Sequence, residues 1–229
     1  MKAPAIPDAA LTTPALATPA LTTPALPDAA LTAPALTAPA LPDAALTGGF
    51  ASPPTQSARA FRAVLDAMAR PGTLHTVTGA LPPAPLSVAA GVAILTLVDG
   101  TTPLHLAGRA DCAAVRDWIA FHTGAPLVSA EAATFALGTW ADLHPVARFA
   151  IGLPDYPDRS ATLIVEMDGL TAEGATLTGP GIATTAHLSL PETAAFQTNR
   201  ALFPLGFDCL FTCGTRIAGL PRSTRVEGV

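Results

Sequence analysis

The sequence predicts an α/β domain built on a mixed sheet, and three observations carry that expectation. Residues 48–229 alternate helix-period apolar patterns with short apolar runs of strand length. One run, FDCLFTC at 207–213, reads as a strand buried on both faces. The composition, 50% apolar and only 13% charged over 229 residues, supplies enough apolar surface for a sizeable core.

Residues 1–47 stand apart. They use almost only Ala, Leu, Thr and Pro, and the hexapeptide PDAALT occurs at 7–12, 27–32 and 42–47. Pro14, Pro19 and Pro24 fall five apart, followed by Pro34 and Pro39, a spacing that stops any helix from propagating. No aromatic residue is present to anchor a core, so the segment reads as a low-complexity, disordered tail ahead of a single domain at 48–229. Five-residue proline-rich units do not form stackable strands or helices, which argues against a solenoid.

Within the domain, Phe61, Val64, Leu65 and Met68 recur at helical spacing between a possible cap at Ser57 and a stop at Pro71-Gly72. Arg62, Asp66 and Arg70 lie four apart on the opposite face, positioned to pair along it. LHTVT at 74–78 reads as a strand, 86–98 as a buried helix and PLHLA at 103–107 as a strand. A helix is expected over 110–122, with Val115, Trp118, Ile119 and His122 on one stripe after Asp111. Further strands are expected at 133–137, 147–151, 161–167 and 175–178.

Several function classes are excluded. Lys2 is the only lysine, so neither a lysine-bearing phosphate loop nor a pyridoxal-phosphate Schiff base fits the folded part. A net charge of -5 gives no basic field for nucleic acid. The longest apolar run, 88–98, is far short of the roughly 20 residues that span a bilayer, and no targeting signal is evident. Cys112, Cys209 and Cys213 form neither a disulfide framework nor a metal motif; they read as small buried hydrophobes of a reduced, cytoplasmic protein. No metal site is expected among the five histidines, and no nucleophile-elbow or HExxH pattern occurs. A mean hydropathy of +0.44 with so little charge suggests a surface partly covered by another subunit.

Four segments carry side chains suited to anion chemistry. FHTGAPL at 121–127 places His122 and Thr123 at a helix end, either as ligands or as caps on terminal carbonyls. GLPDYPDRSATLIV at 152–165 places Arg159 in a loop before a strand, as an anion fork or neutralised by Asp155 or Asp158. LTGPGI at 177–182 offers Gly179 and Gly181, for close approach to a phosphate or for an ordinary turn. LPRSTR at 220–225 gathers Arg222, Ser223, Thr224 and Arg225 as an oxyanion cradle or an inert terminus.

FRAVLDAMARPGT at 61–73, LTLVDGTTPL at 95–104, FHTGAPLV at 121–128, SATLIVEM at 160–167, LTGPGI and FPLGFDCLFTCGTRIAGLPRSTRVE at 203–227, in that order, resemble the PhnH family. This is the H subunit of the carbon-phosphorus lyase system for phosphonate breakdown. The likeness covers about residues 41–227; Ser223 departs from the family's more frequent Thr.

The resemblance implies a three-layer α/β/α sandwich similar to the large domain of pyridoxal-phosphate transferases, without that cofactor. It implies a homodimer joined to the G, I and J subunits. That assembly transfers a phosphonate to the ribose of ATP, supplied with Mg, and releases adenine; the product is alpha-D-ribose 1-methylphosphonate 5-triphosphate, later cleaved by radical chemistry. His122, Thr123, Arg159, Gly179, Gly181, Arg222 and Thr224 are the expected substrate-binding residues. The catalytic residues are left open, with the I subunit expected to hold the transfer site. The alternative is a non-catalytic scaffold that binds no small molecule.

Overall fold

The computed structural model describes residues 41–228. The repeats before residue 41 lie outside it. A six-stranded mixed sheet forms the centre, in the order β1 (His75–Thr76), β10 (Arg216–Leu220), β9 (Asp208–Cys213), β6 (Thr162–Glu166), β3 (Phe135–Thr139) and β2 (Leu104–Leu106). β2, β3, β6 and β9 run parallel, while β10 and β1 add antiparallel at one edge.

Both faces of this sheet are buried, and alternation along β6 shows how. Ile164 joins a cluster with three helices, whereas Leu163 and Val165 join a second cluster on the other face. The helices of the first layer are α1 (Pro53–Ala69), α2 (Val88–Leu97) and α3 (Ala113–His122). The second layer is less regular. It combines α4 (Trp140–Leu143), α5 (Ala194–Ala201) and a three-stranded antiparallel sheet of β11 (Arg225–Glu227), β7 (Ala175–Thr178) and β8 (Ala186–Leu188). A hairpin of β4 (Ile151–Leu153) and β5 (Tyr156–Ser160) completes the domain. The α/β class with a mixed sheet is therefore observed, with strands as well as helices in one covering layer.

α2 is apolar all round because it has no wet side: Ala89 to Ile94 are all buried between α1 and the sheet. Ser87 caps it by accepting from the Ala90 N–H at 3.1 Å. α3 is amphipathic and buries Val115, Trp118 and Ile119; Cys112, rather than Asp111, occupies its N-cap position. Asp111 instead pairs with Arg116 at 2.5 Å on the surface.

α1 departs from the expected stripe. It buries Ala60, Val64 and Ala67 and leaves Phe61 and Leu65 exposed at 51% and 55%. The cause lies underneath: a Cβ at Gly219 of β10 would lie 2.7 Å from the Ala67 carbonyl oxygen, so the helix approaches the sheet through small residues. The helix begins at Pro53, before Ser57, and no ion pair joins Arg62, Asp66 and Arg70 among the described residues. The strand expected at 147–151 is instead a 3-10 turn at Val146–Arg148 followed by β4. Of the cysteines, Cys209 is buried while Cys112 and Cys213 are half-buried. Burial pushes the Cys209 thiol well above its ordinary pKa.

The ordered domain starts earlier than the composition change at residue 47 suggests. Asp43–Leu46 forms a 3-10 turn against α3, with Ala45 only 4% exposed. Residues 41–47 thus belong to the fold, a correction to the expected disordered span of 1–47. No helix among the described residues is long and apolar enough to cross a membrane.

Candidate functional site

The seven sequence-predicted residues fall in two regions. Arg222 lies between β10 and β11 at the end of the sheet where β6 and β9 begin. Its Nη2 pairs with Asp208 Oδ2 at 2.5 Å, its Nε donates to Asp208 Oδ1 at 3.2 Å and its Nη1 to the Pro157 carbonyl at 2.7 Å. A further bond reaches the Ser160 hydroxyl. With its side chain only 13% exposed, Arg222 fastens the β4–β5 hairpin to β9. Its donors are engaged within the chain, which corrects the expectation of an open oxyanion cradle.

Thr224 is also withdrawn from solvent, at 2% exposure, and its hydroxyl has no partner among the described residues. Gly179 and Gly181 both have positive φ, 131° and 81°. Neither opens onto a phosphate-sized space: a Cβ at Gly179 would meet the Ser223 carbonyl at 3.3 Å, and one at Gly181 would overlap the Ala69 carbonyl. The turn is filled by its own chain.

At the end of α3, a ring nitrogen of His122 lies 3.1 Å from the Thr47 carbonyl. It therefore holds the incoming segment instead of capping terminal carbonyls of α3. Thr123 donates to the Ile119 carbonyl at 2.9 Å and accepts from the Ala125 N–H at 3.1 Å, closing the helix. Arg159 differs from these residues. It is exposed, stacks 4.2 Å over the Tyr156 ring, and forms no ion pair with Asp155 or Asp158.

A second group of residues, not singled out from the sequence, meets at the opposite end of the sheet. In open α/β sheets the connections at the carboxyl ends of parallel strands diverge and leave a crevice there. β3 and β6 end at Thr139 and Glu166, and a small cleft of about 30 Å³ is lined by Pro85, Leu86, Arg109, Gly138, Asp142 and Glu166, among others.

Each polar group in this cleft has a local cause. Glu166 accepts from the Ser87 N–H at 2.7 Å and the Thr212 hydroxyl at 3.0 Å. Burial raises its pKa, while those two donors act in the opposite direction. Thr139 caps the short helix α4 and donates to Asp142 Oδ2 at 2.7 Å. Gly108 has φ 55°, and any Cβ there would overlap the Asp142 carboxylate. Arg109 follows directly, exposed and without an ion pair among the described residues. An arginine fork beside two carboxylates and a threonine hydroxyl offers donors to an anion and acceptors to hydroxyl groups.

The sequence signal for this cleft was present but short. A strand expected to stop at 137 runs to Thr139, which moves Gly138, Thr139 and Asp142 from an unassigned loop to a strand end.

Comparison with known proteins places these observations in a family. A family model described as bacterial phosphonate metabolism protein (PhnH) matches residues 48–227. The chain is also 38% identical over 191 residues to the alpha-D-ribose 1-methylphosphonate 5-triphosphate synthase subunit PhnH of Rhizobium meliloti (strain 1021). That match covers 79% of this chain and 94% of the relative. The resemblance carried by the six sequence segments is thereby established: the chain belongs to the PhnH family of bacterial phosphonate metabolism proteins.

Proposed function

We propose that this chain is a subunit of alpha-D-ribose 1-methylphosphonate 5-triphosphate synthase and acts in phosphonate catabolism. The observation that carries the reading is the 38% identity to a subunit so named, across nearly the whole of that relative. In this reading the complex joins a phosphonate oxygen to C1 of the ribose of ATP. The bond from that carbon to adenine breaks, and adenine leaves with the bonding electrons.

The main obstacle to this transfer is repulsion between a polyanionic nucleotide and an anionic nucleophile. Positioned arginines reduce it. We assign this help to Arg109 in the carboxyl-end cleft and Arg159 on its hairpin, both exposed and neither neutralised by an ion pair. We assign the chain a supporting role in a transferase complex, with bond-making residues on another subunit.

The proposal includes a homodimer contacting the G, I and J subunits in the cytoplasm. Its fold is then a cofactor-free version of the large pyridoxal-phosphate transferase domain. Residues 41–228 contain no lysine able to form a Schiff base, which supports the cofactor-free part. Mg-ATP enters as the substrate of the complex, without a resident metal in this subunit.

A second reading, a scaffold that binds no small molecule, draws on Phe61, Leu65, Leu202 and Phe203, each at least 43% exposed. Calorimetry of the purified chain with ATP and methylphosphonate separates the two. Saturable heat supports a ligand-binding subunit. Heat of dilution alone, with restored turnover on adding the other subunits, supports the scaffold.

A further inference from the structure

The six-stranded sheet has two edges, and among the described residues only one of them is closed. At the β2 edge the segment that follows α3 lies alongside: Leu104 donates its N–H to the Pro126 carbonyl at 3.0 Å and its carbonyl accepts from the Val128 N–H at 2.9 Å. At the opposite edge, β1 pairs with β10 alone. The register decides where the remaining backbone groups of β1 point. Val77 donates to the Thr215 carbonyl at 2.8 Å, so Val77 and, two residues before it, His75 face β10. Thr76 therefore turns its N–H and C=O outward. Thr78 is likewise exposed and has no backbone partner among the described residues.

A groove of about 250 Å³ runs over this edge. Its other wall is α1, which presents Gln56, Arg59, Ala60 and Ala63, the i, i+3, i+4, i+7 stripe of one helix face. Ala60 and Ala63 are short, which leaves the groove open above them. An extended peptide joins a sheet at such an open edge, with main-chain hydrogen bonds for affinity and side-chain contacts for specificity.

Charge selects the occupant. Arg59 lines the groove and the register sets Arg216 opposite Thr76; both arginines are exposed, and neither forms an ion pair among the described residues. A second copy pairing β1 with β1 across a two-fold axis would set these arginines against their own duplicates, a like-charge arrangement that opposes association. An acidic strand meets unpaired donors instead.

We propose that the groove between β1 and α1 docks an extended, acidic segment of another synthase subunit, which adds to the sheet as a further strand and sets a carboxylate on Arg59. This docking site presupposes the subunit reading above.

Amide hydrogen exchange of the full-length chain, alone and mixed with the G, I and J subunits, tests it. The Thr76 and Thr78 amides should exchange at least about tenfold more slowly in the complex than alone, while Val77, already bonded to Thr215, is protected in both. Thr76→Pro removes an outward donor that no strand of this chain uses, so the sheet should tolerate it while dissociation of the complex quickens about tenfold. Arg59→Glu should slow association about tenfold at low salt. Arg70→Glu, an equal change of net charge at an exposed position just past α1, should slow it much less.

Thr76 and Thr78 exchanging equally fast in the free chain and in a complex that does form overturns the docking site and leaves the subunit reading standing. Equal slowing by Arg59→Glu and Arg70→Glu overturns the acidic occupant. Protection of the chain alone that rises with its own concentration assigns the groove to a second copy and overturns the proposal. Absence of any complex overturns the subunit reading and the docking site together. If Thr76→Pro fails to fold, the exchange of the unsubstituted chain and the two charge reversals decide by the same criteria.

Discussion

Arg222 and Asp208 face each other with their side chains 13% and 19% exposed, and the 2.5 Å contact between them ties the β10–β11 connection to the start of β9. Through the same guanidinium, the Pro157 carbonyl and the Ser160 hydroxyl bind the hairpin that displays Arg159. Arg222 organises this end of the molecule.

Replacing Arg222 with Ala should therefore reduce stability. The Asp208 carboxylate would remain largely buried without its counter-charge, a loss of about 3 kcal/mol. Urea unfolding of Arg222→Ala, Asp208→Ala and the double variant checks this. The double variant should lose less than the sum of the two singles, because the charge left behind is then absent as well.

Arg109 gives the opposite expectation. It is exposed and unpaired among the described residues, so Arg109→Ala should leave the unfolding free energy within about 0.5 kcal/mol. If it holds an anion in the carboxyl-end cleft, the same variant should lower turnover of the assembled synthase by about tenfold or more. Steady-state kinetics of the complex measures this.

Glu166 predicts a pH effect with a definite sign. Burial raises its folded pKa above the unfolded value, so its protonated form favours folding. Its contribution is fully present below the unfolded pKa and is lost as pH rises through the folded value. Glu166→Gln should be flat across that window, so thermal melting of the two proteins should diverge there in favour of Gln. A glutamine oxygen can still accept from the Ser87 N–H.

The 3-10 turn against α3 distinguishes two truncations. Removing residues 1–47 should cost about 1–3 kcal/mol more than removing 1–40, because it exposes the Ala45 contact and leaves the buried Trp118 indole without its carbonyl. Chemical denaturation of the two truncated chains checks the difference.

Much of the central sheet was legible because burial on both faces writes itself as an apolar run. β6, β7 and β9, and the buried helix α2, match their expected spans within a residue or two. β10 was not evident, because RIAGL includes Gly219, whose missing side chain admits α1. α5 was missed for a related reason: AAFQTNRA buries only Phe196 and Asn199, too few residues for a helical stripe. Phe61 and Leu65 looked like core residues because periodicity identifies an apolar face without identifying what covers it.

The site was less legible than the fold. Arg222 resembled an anion ligand because Asp208, its neutralising partner, is distant in sequence and approaches only through strand pairing. The carboxyl-end cleft went unrecognised for the converse reason. Ser87, Arg109, Asp142 and Glu166 are scattered along the chain and form no spacing motif; the ends of β3 and β6 bring them together. Family membership rested on several ordered segments at once and did not require the site to be located.

Phosphorus NMR of ATP, magnesium and methylphosphonate with the purified chain alone, with the remaining synthase subunits alone, and with both provides the decisive comparison. The subunit reading predicts the ribose 1-methylphosphonate 5-triphosphate signal, with adenine release, only in the combined mixture. Full product formation by this chain alone, or undiminished formation in its absence, would contradict it.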